Sequence, residues 1–175
     1  FVSALSLVGE ELWSYELSGA GPGAPTLSED GSLIFAGSLG NQMVALDAVT
    51  GELVWTFDTA QSVWGTSVVA DGKLIFTDTG GNIYALSVED GTSLWQTEVS
   101  GEIVGGVSSI GDGFVVATQD GQFKAYNFDG GTLWQDSIDA KIYQAPVANS
   151  DFLVAGMIKG DDLVVAYNLT SVQLW

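Results

Sequence analysis

The side chains of this chain that could carry out chemistry are almost all carboxylates. Its 175 residues include 22 aspartates and glutamates but no histidine and no cysteine. Carboxylates can bind calcium or act as an acid–base pair, but here they are scattered through turns, and no run matches a calcium loop such as the EF-hand. Ser-His-Asp and Cys-His sites, and metal sites built on His or Cys, are excluded. We therefore predict no catalytic, cofactor-binding or metal-binding residue and no cofactor.

The charge of the chain limits its partners. The formal net charge is −18 at pH 7, and four lysines are the only basic side chains. Binding to a phosphate backbone requires clustered Lys and Arg, and docking on anionic lipid requires similar clusters. No apolar run approaches the roughly 20 residues that span a bilayer. These features predict no nucleic-acid partner and no direct insertion into a membrane.

Two kinds of residue, a tryptophan and an alanine, recur at regular intervals along the chain. The tryptophans are Trp13, Trp55, Trp95, Trp134 and Trp175, and the alanines are Ala45, Ala85, Ala125 and Ala166. Both sets keep one period of about 40 residues, and a period of this length indicates a solenoid or a propeller. Because two independent markers share the period, the repeat is a property of the fold and not of composition.

The chemistry of each repeat favours strands. Four short segments rich in β-branched and aromatic residues are bounded by Gly, Asp or Asn, and no window has a helical period. Asp-Gly lies between the first two segments at positions 30–31, 71–72 and 112–113. This dipeptide suits a type I′ hairpin, in which both central residues need positive φ. Four antiparallel strands in each repeat predict an all-β fold of β-propeller blades.

We predict one β-propeller domain, or a fragment of one, over residues 1–175, with about four blades plus a half blade. The tryptophans would fill the wedges between blades and the alanines would mark close approaches, so these nine residues are predicted to dock blades together. An open half-ring would expose strand edges and apolar faces. We therefore expect the rest of the propeller from the same chain or a second copy. The predicted repeat units are approximately 1–17 (partial), 18–58, 59–98, 99–137 and 138–175.

One repeat carries a specific resemblance. Residues 45–55 read ALDAVTGELVW, which closely resembles the repeat of pyrroloquinoline-quinone (PQQ)-type, quinoprotein-like β-propellers. That family includes quinoprotein alcohol dehydrogenases and the propeller lipoprotein of the bacterial outer-membrane barrel-assembly machinery. The resemblance covers essentially the whole chain and implies a partial ring of a seven- or eight-bladed propeller. It rests on residues that dock blades, so it says more about fold than about function.

The resemblance also implies a binding face. In the family, ligands and partners meet the links that join the last strand of one blade to the first strand of the next. Pro22, Trp64, Val104 and Tyr143 occupy equivalent places in these links. Aromatic residues there lie outside the docking pattern, so we predict a partner contact at Trp64, Tyr143 and Gln144. The alternative is that the two aromatic side chains only cap the mouth of the channel. The links are 18–23, 58–65, 99–105 and 137–144.

A blade-docking pattern without catalytic residues favours a non-catalytic scaffold that mediates protein–protein interaction. The resemblance makes outer-membrane protein assembly in the cell envelope one concrete version, with a periplasmic, extracellular or cell-surface location. One alternative is a structural subunit of a larger surface or membrane-associated complex. A minor alternative is part of a PQQ-dependent dehydrogenase, which the resemblance implies would need calcium ligands and a basic residue near the quinone. No such set can be assigned in this chain.

Overall fold

The computed structural model describes residues 1–149, 151–158, 164–168 and 174. All named elements of these residues are β-strands, arranged in five antiparallel sheets. This confirms the predicted all-β fold of successive blades. In the same residues, no helix has the length and apolar character needed to cross a membrane.

The strands follow one another in space in their chain order. The half blade contains β1 (Val2–Leu5) and β2 (Glu11–Tyr15), and the first blade β3 (Thr26–Leu27), β4 (Leu33–Ser38), β5 (Gln42–Asp47) and β6 (Leu53–Asp58). The second blade contains β7 (Val68–Ala70), β8 (Lys73–Thr77), β9 (Asn82–Ser87) and β10 (Ser93–Glu98). The third contains β11 (Val107–Ile110), β12 (Gly113–Ala117), β13 (Gln122–Asn127) and β14 (Thr132–Ser137). The described strands of the fourth are β15 (Val147–Ala148), β16 (Phe152–Gly156) and β17 (Val164–Asn168).

The middle strands of each blade form the core. Consecutive residues of β5, β8, β9 and β12 are buried, although their side chains point alternately to opposite faces. Both faces are covered because each blade packs between two neighbours, and the apolar clusters accordingly span adjacent blades. Each fully buried leucine, isoleucine or phenylalanine contributes roughly 1.5–3 kcal/mol. The first strands of successive blades contact one another, which places them at the centre of the ring.

The tryptophans at the first three docking positions each contact the following blade. The Trp55 indole N–H donates to the carbonyl oxygen of Val88 at 2.9 Å, and its ring lies against Gly91, whose φ is +70°. Trp13 and Trp95 make the equivalent hydrogen bonds at 3.2 and 3.1 Å. The repeated alanines pair in register with the tryptophans of the same blade and are fully buried in the first three blades. The predicted docking role of these residues remains a proposal for substitution to test.

Trp134 is partly buried and packs on the apolar cluster shared by the third and fourth blades. Ala166 is buried in β17. Trp175 lies outside the described residues, so its predicted docking role has no structural counterpart here. The predicted unit boundaries also stay predictions.

The Asp-Gly turns differ from one another. Asp71 and Gly72 both have positive φ, 52° and 70°, as a type I′ hairpin requires. Asp30 does not, because its carboxylate accepts hydrogen bonds from the flanking serines and organises a longer loop. In the third turn the positive φ lies one residue earlier, at Gly111, and Gly113 already belongs to β12. The type I′ prediction is therefore wrong for two of the three turns.

Candidate functional site

The links between blades bring their last residues together at one hollow near the centre of the ring. Pro22, Trp64, Val104 and Tyr143 all line it, together with Gln144, and its volume is about 380 Å³. We call this hollow the mouth. The structure thus unites the three residues predicted to contact a partner. Trp64 is 46% exposed and Tyr143 is 41% exposed.

Glycines set the width of the mouth. A Cβ atom added to Gly23, Gly65 or Gly105 would lie closer than 3.0 Å to backbone atoms of the next blade. Only glycine allows the backbones to approach this closely. The contact between the second and third blades continues as a parallel bridge, in which the N–H of Val107 donates to the carbonyl oxygen of Thr66 at 3.1 Å. The mouth is therefore walled by backbone packed on backbone.

A buried aliphatic side chain anchors each aromatic residue of the mouth. Val63 precedes Trp64 and is 1% exposed, and its N–H donates to the carbonyl oxygen of Ser38 at 3.0 Å. Ile142 precedes Tyr143 and is also buried, and its N–H donates to the carbonyl oxygen of Gln119. Each link thus turns one side chain into the core and leaves the next exposed at the mouth.

The link before Trp64 is also fixed by a buried carboxylate, Asp78. This side chain accepts hydrogen bonds from the N–H of Gln61 at 3.0 Å and from the Tyr84 hydroxyl at 2.9 Å. The Tyr84 oxygen in turn accepts from the N–H of Ala60 at 3.1 Å. Burial raises the pKa of Tyr84 to about 12, and the hydrogen bond to Asp78 acts in the same direction. Two consecutive residues of the link are therefore held by the second blade.

Asp78 and Tyr84 do not stand out in the sequence as residues that support the mouth. Asp78 stands immediately before Thr79-Gly80, in a stretch that has the composition of an ordinary turn. The available signal was positional, because the first and third blades carry the hydroxyl residues Ser38 and Thr118 at the equivalent place. Only the fold shows that this carboxylate is fully buried and directed at a neighbouring link.

The chemistry of the mouth suits recognition. The lining residues carry no charged side chain, and they offer aromatic faces, glycine backbone and one amide. In the part of the chain that the structure describes, no three His, Cys, Asp or Glu residues are grouped so that they could hold a metal ion. The arrangement can bind an apolar group, and its lining includes no carboxylate, histidine or lysine.

Comparison with known proteins identifies the relatives of this chain. A family model described as outer membrane protein assembly factor BamB matches residues 1–112. A relative of that description from Burkholderia pseudomallei is 26% identical, over 95% of this chain and 47% of its own length. One from Shewanella oneidensis is 30% identical, over 58% and 29%. The chain therefore spans at most about half the length of these relatives. The match confirms the resemblance seen in residues 45–55.

Solved structures show the same fold. BamB from Moraxella catarrhalis superimposes with a TM-score of 0.80 at 20% identity, over 95% of this chain and 56% of that one. The computationally designed protein Ika4 superimposes with a TM-score of 0.78 at 20% identity, over 91% of this chain and 98% of its own. At this identity the likeness concerns the fold alone, and it agrees with the predicted propeller of four blades and a half blade.

Proposed function

Since the chain belongs to the family of outer membrane protein assembly factor BamB, we propose that it is a non-catalytic propeller scaffold that binds protein partners during outer-membrane protein assembly. Its place of action in this proposal is the cell envelope, on the periplasmic side. Partners meet the face formed by the links, and the mouth is the centre of that contact. The dehydrogenase alternative is disfavoured because the family model that matches residues 1–112 is described as an assembly factor.

One observation supports the mouth as the site of partner contact. Trp64 and Tyr143 stay nearly half exposed although the residues before them are buried and held by hydrogen bonds. Leaving nearly half of a large apolar side chain in water forgoes part of the roughly 1.5–3 kcal/mol that full burial contributes. Trp and Tyr are also the residue types that dominate binding energy in protein interfaces. A rigid mouth loses little conformational entropy when a partner binds, which favours affinity.

Binding to the purified outer-membrane barrel-assembly complex tests this proposal. The intact protein is immobilised, and binding is compared with that of the double variant Trp64→Ser and Tyr143→Ser. We expect the double variant to bind at least tenfold more weakly, because each aromatic anchor contributes roughly 1–2 kcal/mol. The matched control is Val49→Ser with Val54→Ser, which removes two exposed apolar side chains away from the mouth. Full binding by a folded Trp64 and Tyr143 variant would refute the proposed contact.

A further inference from the structure

The wedge between the first and second blades is filled by three aromatic side chains. Tyr84 stacks on Phe76 with ring centroids 5.1 Å apart, and Phe57 packs edge-on against both at 5.6 and 6.4 Å. The corresponding wedge between the second and third blades is open and forms a cavity of about 690 Å³. We call it the wedge cavity. Val99, Val116, Thr118, Gln122 and Lys124 are among the residues that line it.

The repeat explains why this wedge is open. Phe76 pairs with Tyr84 in the second blade, and Val116 pairs with Lys124 at the same register of the third. Phe57 lies two residues after Trp55 in the first blade. The residue two after Trp95 in the second blade is Thr97, which therefore takes the place of Phe57. In the wedge between the second and third blades, Thr, Val and Lys thus stand at the places that three aromatic rings occupy between the first and second blades. The valine and the lysine of this set line the wedge cavity.

The lysine does not close the cavity. The Lys124 ammonium lies 5.2 Å from the centroid of the Tyr126 ring, folded along its own strand as a cation–π pair. The one ion pair among the described residues joins Lys73 and Asp129, at another site. The Lys124 charge is therefore directed at a ring of its own blade, and the space that Tyr84 fills in the second blade stays open in the third.

The rim of the wedge cavity is acidic. Three carboxylates, Asp120, Asp136 and Asp139, line it, against one lysine, Lys124. A hydrogen bond from the Thr118 hydroxyl, supported by the Gln122 side-chain amide and by the nearby charge of Lys141, lowers the pKa of Asp120, so that this carboxyl stays ionised at neutral pH. Together with the net charge of −18, this rim attracts cations.

We propose that the wedge cavity is a second contact site, which receives an aromatic side chain of a protein partner flanked by lysine or arginine. The aromatic ring takes the place that the chain's own Tyr84 occupies one blade earlier, and the basic neighbour meets the rim carboxylates. The cavity includes residues 137–139 of a link, so it opens on the same face as the mouth. This inference rests on the proposed function only in that it needs a protein partner at the link face.

A peptide titration tests the site without the assembly complex. The probe is the capped tetrapeptide acetyl-Gly-Phe-Arg-Gly-amide, titrated into isotopically labelled intact protein and followed by amide chemical shifts. We expect the largest shifts at Thr118, Gln122 and Lys124. Replacing the peptide's phenylalanine by alanine should weaken binding by roughly ten- to a hundredfold. Replacing the peptide's arginine by glutamate should also weaken binding. This loss of affinity should be larger in low salt than in high salt, because salt screens the rim charge.

Two variants close the cavity by different routes. Val116→Phe with Lys124→Tyr gives the third blade the residues of the second and should abolish peptide binding in a folded protein. If this variant does not fold, Ser137→Trp blocks the entrance from an exposed strand position. Unchanged peptide binding by a folded closed variant, or shifts centred on Trp64 and Tyr143, would overturn the proposal. The proposed function fails separately, when the Trp64 and Tyr143 variant keeps full binding to the assembly complex.

Discussion

Substitution of Gly51 by alanine measures how much the tryptophan contact holds two blades together. Gly51 has a φ of +74°, and a Cβ atom there would lie 2.5 Å from Cδ2 of Trp13. Gly31 has nearly the same φ, +73°, but its Cβ atom would meet no atom within 4 Å. The two positions therefore share the backbone cost of an alanine at positive φ and differ in the contact with the indole ring.

The expected difference follows from these geometries. Alanine at positive φ costs about 1–2 kcal/mol at either position. At Gly51 the indole must also move away, which weakens the hydrogen bond from the Trp13 N–H to the carbonyl oxygen of Ala48. Such a bond contributes about 0.5–1.5 kcal/mol, and displacing a packed ring adds about 1–3 kcal/mol. We expect Gly51→Ala to lower the free energy of unfolding by about 2–4 kcal/mol more than Gly31→Ala does.

Urea unfolding, followed by circular dichroism and tryptophan fluorescence, gives both free energies of unfolding. A double-mutant cycle isolates the contact: in a Trp13→Ala background, Gly51→Ala should cost only what Gly31→Ala costs. Equal destabilisation by the two glycine variants in the unmodified background would refute the inference that the tryptophan docks one blade on the next.

Two further predictions concern the mouth and its supports. Gly105→Ala should lower the free energy of unfolding by about 1–3 kcal/mol or more, because its Cβ atom would overlap the backbone of Gln144 and Ala145. Gly156→Ala, at a strand position with open space, should change it by less than about 0.5 kcal/mol in urea unfolding, and equal effects would contradict the close approach. Burial raises the pKa of Tyr84 above its ordinary value of 10.0 to about 12. The protonated Tyr84 hydroxyl therefore contributes fully to the free energy of unfolding below pH 10, and this contribution is lost as the pH rises towards 12. The stability of Tyr84→Phe should therefore fall less steeply between pH 10 and 12, and parallel curves would contradict the raised pKa.

The blades could be predicted from the sequence because their signals are local or periodic. Strand segments, glycine-rich turns and the spacing from Ala45 to Trp55 recur in each repeat, and the structure places strands where they predict them. Turn geometry was less predictable. Asp30 and Asp71 both precede glycine, but the serines beside Asp30 offer its carboxylate hydrogen bonds that change the loop. The outcome depends on neighbours that an Asp-Gly dipeptide does not contain.

The candidate site likewise has one part that the sequence indicated and another that depends on contacts between blades. The sequence singled out Trp64 and Tyr143, because the family resemblance implies that partners meet the links and an aromatic residue there departs from the repeat. The sequence could not show that Asp78 is buried or that it holds the link before Trp64, since the partners of a carboxylate are chosen when two blades meet. It also could not show the wedge cavity. Thr97, Val116 and Lys124 are ordinary residues within their own strands, and only blade packing reveals that together they leave unfilled the space that three aromatic rings occupy one blade earlier.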